Sequence, residues 1–83
     1  MDYRQKFKNL RIDRDLKQED IAKICNVSDA TVGHWETGRR DMKIDSIIKL
    51  CIFYDISPEY IFGFTNEIKK LPKKERKNKW SIL

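Results

Sequence analysis

The segment from Gln18 to Glu36, QEDIAKICNVSDATVGHWE, holds two short helical patterns joined by a three-residue turn, Asn26-Val27-Ser28. In the first pattern Ile21, Ala22 and Cys25 fall at i, i+1 and i+4, on one face of a helix that starts near Gln18. Glu19 and Asp20 occupy its first turn, where the helix dipole favours acidic groups. Asn26 follows the last apolar residue, and Asn tolerates the left-handed backbone that ends a helix. Ser28 is suited to cap a second helix, Val27 to staple it, and Val32 and Trp35 repeat at i and i+3 to face inward. The opposite face of that second helix carries Asp29, Ala30, Gly33 and His34. These residues hold no apolar stripe, as suits a helix that presses against another polymer. Any small helical bundle also contains such hairpins, so the surroundings must decide.

They do so by register. Leu10-Arg11 comes first, then Leu16-x-Gln18-Glu19-x-Ile21-Ala22, Val27-Ser28, Val32-x-x-Trp35-Glu36-x-Gly38-Arg39 and Ile47-x-x-Leu50, ending in Ile56-Ser57-Pro58-Glu59-Tyr60-Ile61. On these motifs the chain resembles the bacterial and phage repressors of the Cro/CI, or XRE, type, over about Tyr3 to Gly63. The resemblance implies an all-α fold: a compact five-helix, lambda-repressor-like DNA-binding domain whose third helix enters the major groove, often as a dimer on an inverted repeat.

Length and cysteine usage narrow the alternatives. Eighty-three residues make one small domain, with little room for an enzyme cleft as well as its scaffold. No apolar run approaches the roughly eighteen residues of a membrane span, and the N-terminus is polar and charged from Asp2 onward, unlike a signal peptide. A soluble cytoplasmic protein is expected. Cys25 and Cys51 both fall at apolar helical positions, which predicts two buried free thiols rather than a disulfide. One His and two distant Cys offer no metal-ligand pair at short spacing, so neither a metal nor a cofactor is expected.

The net charge of +5 is unevenly placed. Residues 1–64 hold eleven Lys or Arg against eleven Asp or Glu, whereas residues 65–83 hold seven against two. This divides the chain into a helix-turn-helix domain, 1–64, and a basic C-terminal arm, 65–83. Basicity in the arm favours nucleic acid in general but does not make the helical face positive, and it also suits a solvated, solubilising end.

The remaining elements follow from periodicity and breakers. Tyr3, Phe7 and Leu10 form the stripe of a first helix over about Tyr3 to Arg14, closed by Asp15. A fourth helix runs from about Ile44 to Tyr54, with Ile47, Leu50 and Cys51 inward and Asp55 after it. Ser57 caps a short fifth helix with Pro58 at its first position, ending at Ile61 and Phe62 before Gly63. Asp15, Asn26 and Asp55 stand where the family usually has Gly, and they are the residue types that best tolerate the left-handed region. In the arm, residues 66–71 suit one helical turn, and Leu71-Pro72-Lys73-Lys74-Glu75-Arg76 resembles the opening of an extra family helix. Lys77, Asn78 and Lys79 then break the periodicity before an apolar tip of Trp80, Ile82 and Leu83. A partly ordered basic arm is expected, its tip docked on the domain, on a second subunit, or free.

The resemblance also implies contacts. Gln18 matches a residue that donates to a phosphate and braces the recognition helix, and Ser28 a phosphate-binding hydroxyl at that helix's start. Asp29, Ala30 and His34 match base-reading positions; Thr31 and Gly33 flank them, Thr31 within reach of a phosphate or a thymine methyl. Arg39, Arg40 and Lys43 follow in a loop expected to run along the sugar-phosphate backbone, positioning without reading. Asp29 is a departure: it either accepts from a cytosine or adenine amino group, or serves the helix N-terminus and avoids DNA. His34 is either a contact or incidental. Gly33 costs about 1 kcal/mol relative to Ala inside a helix, offset by close approach of the DNA backbone unless the position is dispensable. Arg11 and Glu36 match a partly buried structural ion pair, whose disruption costs about 3 to 5 kcal/mol, and Trp35 is structural packing.

These readings converge on a sequence-specific, double-stranded-DNA-binding transcriptional regulator of repressor type, bound as a homodimer, with no second domain to sense a small molecule. One short helix spans few base pairs, so specificity requires two half-sites about one helical turn apart. The competing class is a protein-interaction module, or antitoxin-like partner, that keeps the fold and binds another protein; the neutral domain and Asp29 favour it, while Arg39, Arg40 and Lys43 oppose it. An enzyme is the weakest reading, because no nucleophile, base and orienting group stand at workable spacing.

Overall fold

Five helices and no strand form among residues 2–65, the residues that the computed structural model describes. They are α1 (Tyr3–Asp13), α2 (Gln18–Cys25), α3 (Asp29–Glu36), α4 (Ile44–Tyr54) and α5 (Pro58–Ile61). The expected features of the arm, the turn at 66–71, the helix opening at Leu71 and the tip at Trp80, Ile82 and Leu83, lie outside the described residues.

Each helix ends in the same way. Asp15, Asn26, Gly38, Asp55 and Gly63 all have positive φ. In every case the next amide turns back to a carbonyl five residues earlier: Leu16 N to Arg11 O at 3.0 Å, Val27 N to Ala22 O at 3.0 Å, Arg39 N to His34 O at 2.9 Å, Ile56 N to Cys51 O at 3.0 Å and Phe64 N to Glu59 O at 2.8 Å. This closure satisfies carbonyls that a helix end leaves unpaired. It also delivers an apolar residue straight back to the core after α1, α2 and α4, where Leu16 and Val27 are partly buried and Ile56 fully so. Short connections therefore follow from the sequence of caps.

The starts are capped as well. Asp2, Ser28 and Ser57 accept through their side chains from Arg4 N, Thr31 N and Tyr60 N. At α2 the Asp20 carboxylate accepts from Lys17 N at 2.8 Å, so the acidic first turn supplies the cap that Lys17 itself cannot.

The inward faces meet in one core. Phe7 and Leu10 of α1, Ile21 and Cys25 of α2, Val32 and Trp35 of α3, Leu50 and Cys51 of α4 and Ile61 of α5 are all buried. α3 packs on both α1 and α2, with α4 behind α2 and α5 against α1. The second helix of the hairpin is thus held from behind by two elements, and its outward face stays open.

Candidate nucleic-acid interface

The orientation of α3 is fixed by one carboxylate. Glu36, at its last turn, receives Arg11 Nε on Oε2 at 2.7 Å and Arg11 Nη2 on Oε1 at 3.0 Å. Gln18 Nε2, at the start of α2, donates to the same Oε1 at 3.0 Å. The remaining Arg11 nitrogen, Nη1, donates to Leu16 O at 2.9 Å, across the α1–α2 turn. The two charged side chains are only 15% and 8% exposed, so water screens the pair little. The hydrogen bond to Glu36 raises the Arg11 pKa above its ordinary value against the opposing effect of burial. Three helices are tied together at this point, and Trp35 beside it is buried packing.

The start of α3 carries a pair of hydroxyls. Ser28 Oγ accepts from Thr31 N at 3.1 Å and lies 2.9 Å from Thr31 Oγ1. One hydroxyl hydrogen is shared between the two oxygens and the other remains to donate outward, beside the positive end of the helix. Gln18 likewise keeps one amide hydrogen beyond its bond to Glu36. Both are exposed or half-buried groups with a donor left over, suited to an anionic oxygen.

Along the outward face, Asp29 and Ala30 are exposed and Gly33 and His34 half-buried. A Cβ built on Gly33 would meet Gln18 Nε2 at 3.8 Å and Oε1 at 3.9 Å, ordinary contact distances. Nothing within the domain therefore requires glycine at this position.

Arg39, Arg40 and Lys43 follow α3 in an exposed loop and enter no ion pair among the described residues. Several carboxylates are already engaged elsewhere: Asp2 and Asp41 with Arg4, Glu36 with Arg11, Asp20 as a helix cap. A domain that is neutral by count thus presents three uncommitted cations at one edge of α3. Arg40, Lys43 and Lys49, with Asp41 and Asp45, also line a groove of about 310 Å³ whose walls include Thr31 and Trp35.

The sequence had not singled out Lys49, nor the contacts that hold the loop. Arg4 Nη1 donates to Gly38 O at 3.4 Å and Arg40 O at 3.2 Å, and Tyr3 Oη accepts from Met42 N at 2.9 Å. Met42 is itself buried. No local pattern signals these pairings, which join residues more than thirty positions apart.

Among the described residues no group of three or more His, Cys, Asp or Glu is placed to hold a metal ion. Cys25 and Cys51 are both buried and not joined in a disulfide, and burial pushes the Cys25 pKa up, away from the reactive thiolate, despite the Ser46 hydroxyl beside it.

A helical hairpin braced from behind, with hydroxyls and cations around a polar outer face, has close counterparts. A helix-turn-helix family model matches residues 7–61. An uncharacterized helix-turn-helix-type transcriptional regulator, YobD, of Bacillus subtilis is 32% identical over 76 residues, 92% of this chain and 66% of its own length. The cryptic phage CTXphi transcriptional repressor RstR of Vibrio cholerae is 33% identical over 54 residues, 65% of this chain and 49% of its own length. The chain therefore spans about two thirds and about half of these curated relatives. Among solved structures, the restriction-modification controller protein C.AhdI from Aeromonas hydrophila matches with a TM-score of 0.63 and 32% identity, covering 72% of this chain and 91% of that one. A transcriptional regulator from Listeria innocua shares the fold, with a TM-score of 0.70 at 20% identity over 96% of this chain and 72% of that one. With the match running from within α1 to the end of α5, the chain belongs to the XRE-type helix-turn-helix family of transcriptional regulators.

Proposed function

We propose that the chain is a sequence-specific, double-stranded-DNA-binding transcriptional repressor that lays α3 in the major groove, as a homodimer on an inverted repeat. The observation that carries this reading is the outward face of α3, open and polar, with the Ser28–Thr31 hydroxyls at its start and Arg39, Arg40 and Lys43 in the loop that follows it, Thr31, Arg40 and Lys43 lining one groove. In this reading Ala30, Gly33 and His34 face base edges, with Asp29 beside them at the helix start. Gln18, Ser28, Thr31, Arg39, Arg40 and Lys43 hold phosphates and set the docking register. Arg11, Glu36 and Trp35 act through structure alone.

Dimerisation follows from reach. Eight residues of α3 span about 12 Å, enough for a few base pairs, and a second half-site supplies the remaining specificity. The seven basic residues within 65–83 add phosphate contacts in this reading that do not depend on sequence. The work is that of a cytoplasmic DNA-binding protein without catalytic activity; no described helix is long and apolar enough to cross a membrane.

Selection of bound duplexes from a random library tests the proposal. Enrichment of an inverted repeat, shifted as a complex of two chains per duplex, is the expected result. Failure to enrich any palindrome at low salt would contradict it and leave the fold as a protein-binding module.

A further inference from the structure

Arg39 and Arg40 project into solvent, and a long exposed side chain loses conformational entropy when it settles on a phosphate. That loss is smaller when the backbone beneath it is already fixed. Here the backbone is fixed by the first turn of α1. The Arg4 guanidinium uses Nη1 on the carbonyls of Gly38 and Arg40, with the Asp41 carboxylate 3.0 Å away. Its other edge, Nε and Nη2, forks onto Asp2 at 3.0 Å for each bond. Asp2 is in turn fixed as the N-cap of α1, accepting from Arg4 N at 2.7 Å. One residue before Arg4, Tyr3 Oη takes the amide hydrogen of Met42. Consecutive residues of α1 thus hold the loop backbone at 38, 40 and 42, on both sides of the two arginines.

We infer that Tyr3 and Arg4 are positioning residues for Arg39 and Arg40, setting the course of the loop that meets the DNA backbone. The inference rests on the DNA-binding reading above. Arg4 is poorly placed to serve as a phosphate ligand itself: its side chain is 19% exposed, and two carboxylates already match its charge. Its hydrogen bond to Asp2 raises the Arg4 pKa and lowers that of Asp2, so both stay ionised at neutral pH. The clamp draws on side chains the recognition hairpin lacks, which makes α1 part of the interface without contact to DNA.

A double-mutant cycle separates positioning from direct contact. Affinity for a random-sequence duplex is measured for the full chain, for Arg4→Ala, for Arg39→Ala with Arg40→Ala, and for all three together, alongside amide hydrogen exchange at residues 38–42. Arg4→Ala is expected to weaken binding by about three- to thirtyfold, inside the range of coupling within one hydrogen-bonded network, and to have no further effect once both arginines are gone. Exchange at Arg40 and Met42 is expected to quicken. An equal loss in both backgrounds, or no loss in either, would overturn the inference. Tyr3→Phe, which removes one oxygen and keeps the ring packed on Phe62 at 5.8 Å, repeats the test if Arg4→Ala fails to fold. A wild-type chain that binds no DNA would sink the repressor reading alone; the exchange measurement then decides the clamp, and unchanged exchange in Arg4→Ala and Tyr3→Phe refutes it.

Discussion

Arg11 grips Glu36 edge to edge, with both carboxylate oxygens engaged and Gln18 as a third donor to the same group. Glu36→Ala leaves the Arg11 guanidinium largely buried without its counter-charge, and the expected cost is about 3 to 5 kcal/mol of folding stability. Urea denaturation measures it. Because the pair holds α3 in place, DNA binding by this variant has meaning only at temperatures where circular dichroism shows it folded.

Gly33→Ala is expected to act in opposite directions on folding and on binding. There is room for the new Cβ beside Gln18, so the helix gains about 1 kcal/mol, seen as a higher denaturation midpoint. If the DNA backbone approaches this position closely, the same methyl group weakens affinity in a binding titration. Raised stability with unchanged affinity would remove Gly33 from the interface.

Tyr54 gives a pH dependence that can be worked out in sign. Its hydroxyl is buried with no hydrogen-bond partner among the described residues, and burial pushes its pKa from 10.0 up to about 12. The unfolded chain ionises first, so the contribution is fully present below pH 10 and is lost as pH rises toward about 12, by roughly 2 to 3 kcal/mol at most. Tyr54→Phe removes the unpaired hydroxyl and leaves the ring beside Phe7 at 6.3 Å, so it is expected to raise stability at neutral pH and to flatten the alkaline decline. Denaturation midpoints at pH 8 and pH 11 check both.

The residues that carry fold information locally were legible in the sequence, and those that act across it were not. Asp15, Asn26 and Asp55 announced three helix ends by residue type alone, and each has the left-handed backbone. Ser28 and Ser57 announced two helix starts, and the inner faces of α1 to α4 followed from spacing. Arg11 and Glu36 could be paired only through a resemblance, since 25 residues separate them. Arg4, Tyr3 and Met42 had no such signal. Met42 is core although no helical period leads to it, because its place depends on how the loop after α3 folds back toward α1. The even count of charges in residues 1–64 likewise hid which cations were already committed; only the ion pairs separate Arg4 and Arg11 from Arg39 and Arg40.

Asp29 sits in the first turn of α3, exposed, where its charge complements the helix dipole. Asp29→Asn is expected to cost about 0.3 to 1 kcal/mol of stability and to strengthen binding to all duplexes alike at low salt, by relieving repulsion from phosphates. A loss confined to one base pair of the site would instead assign the carboxylate to a cytosine or adenine amino group.

The central claim, that α3 reads base edges, is tested most directly by comparing the site enriched by the wild-type chain with that enriched by an Ala30→Ser, His34→Asn variant. Both positions lie on the outward face, away from the Arg11–Glu36 brace. The expected result is an inverted repeat in each case, with the same spacing of about one helical turn between half-sites and different bases within them. Identical sites from the two chains, or no inverted repeat from the wild type, would contradict it.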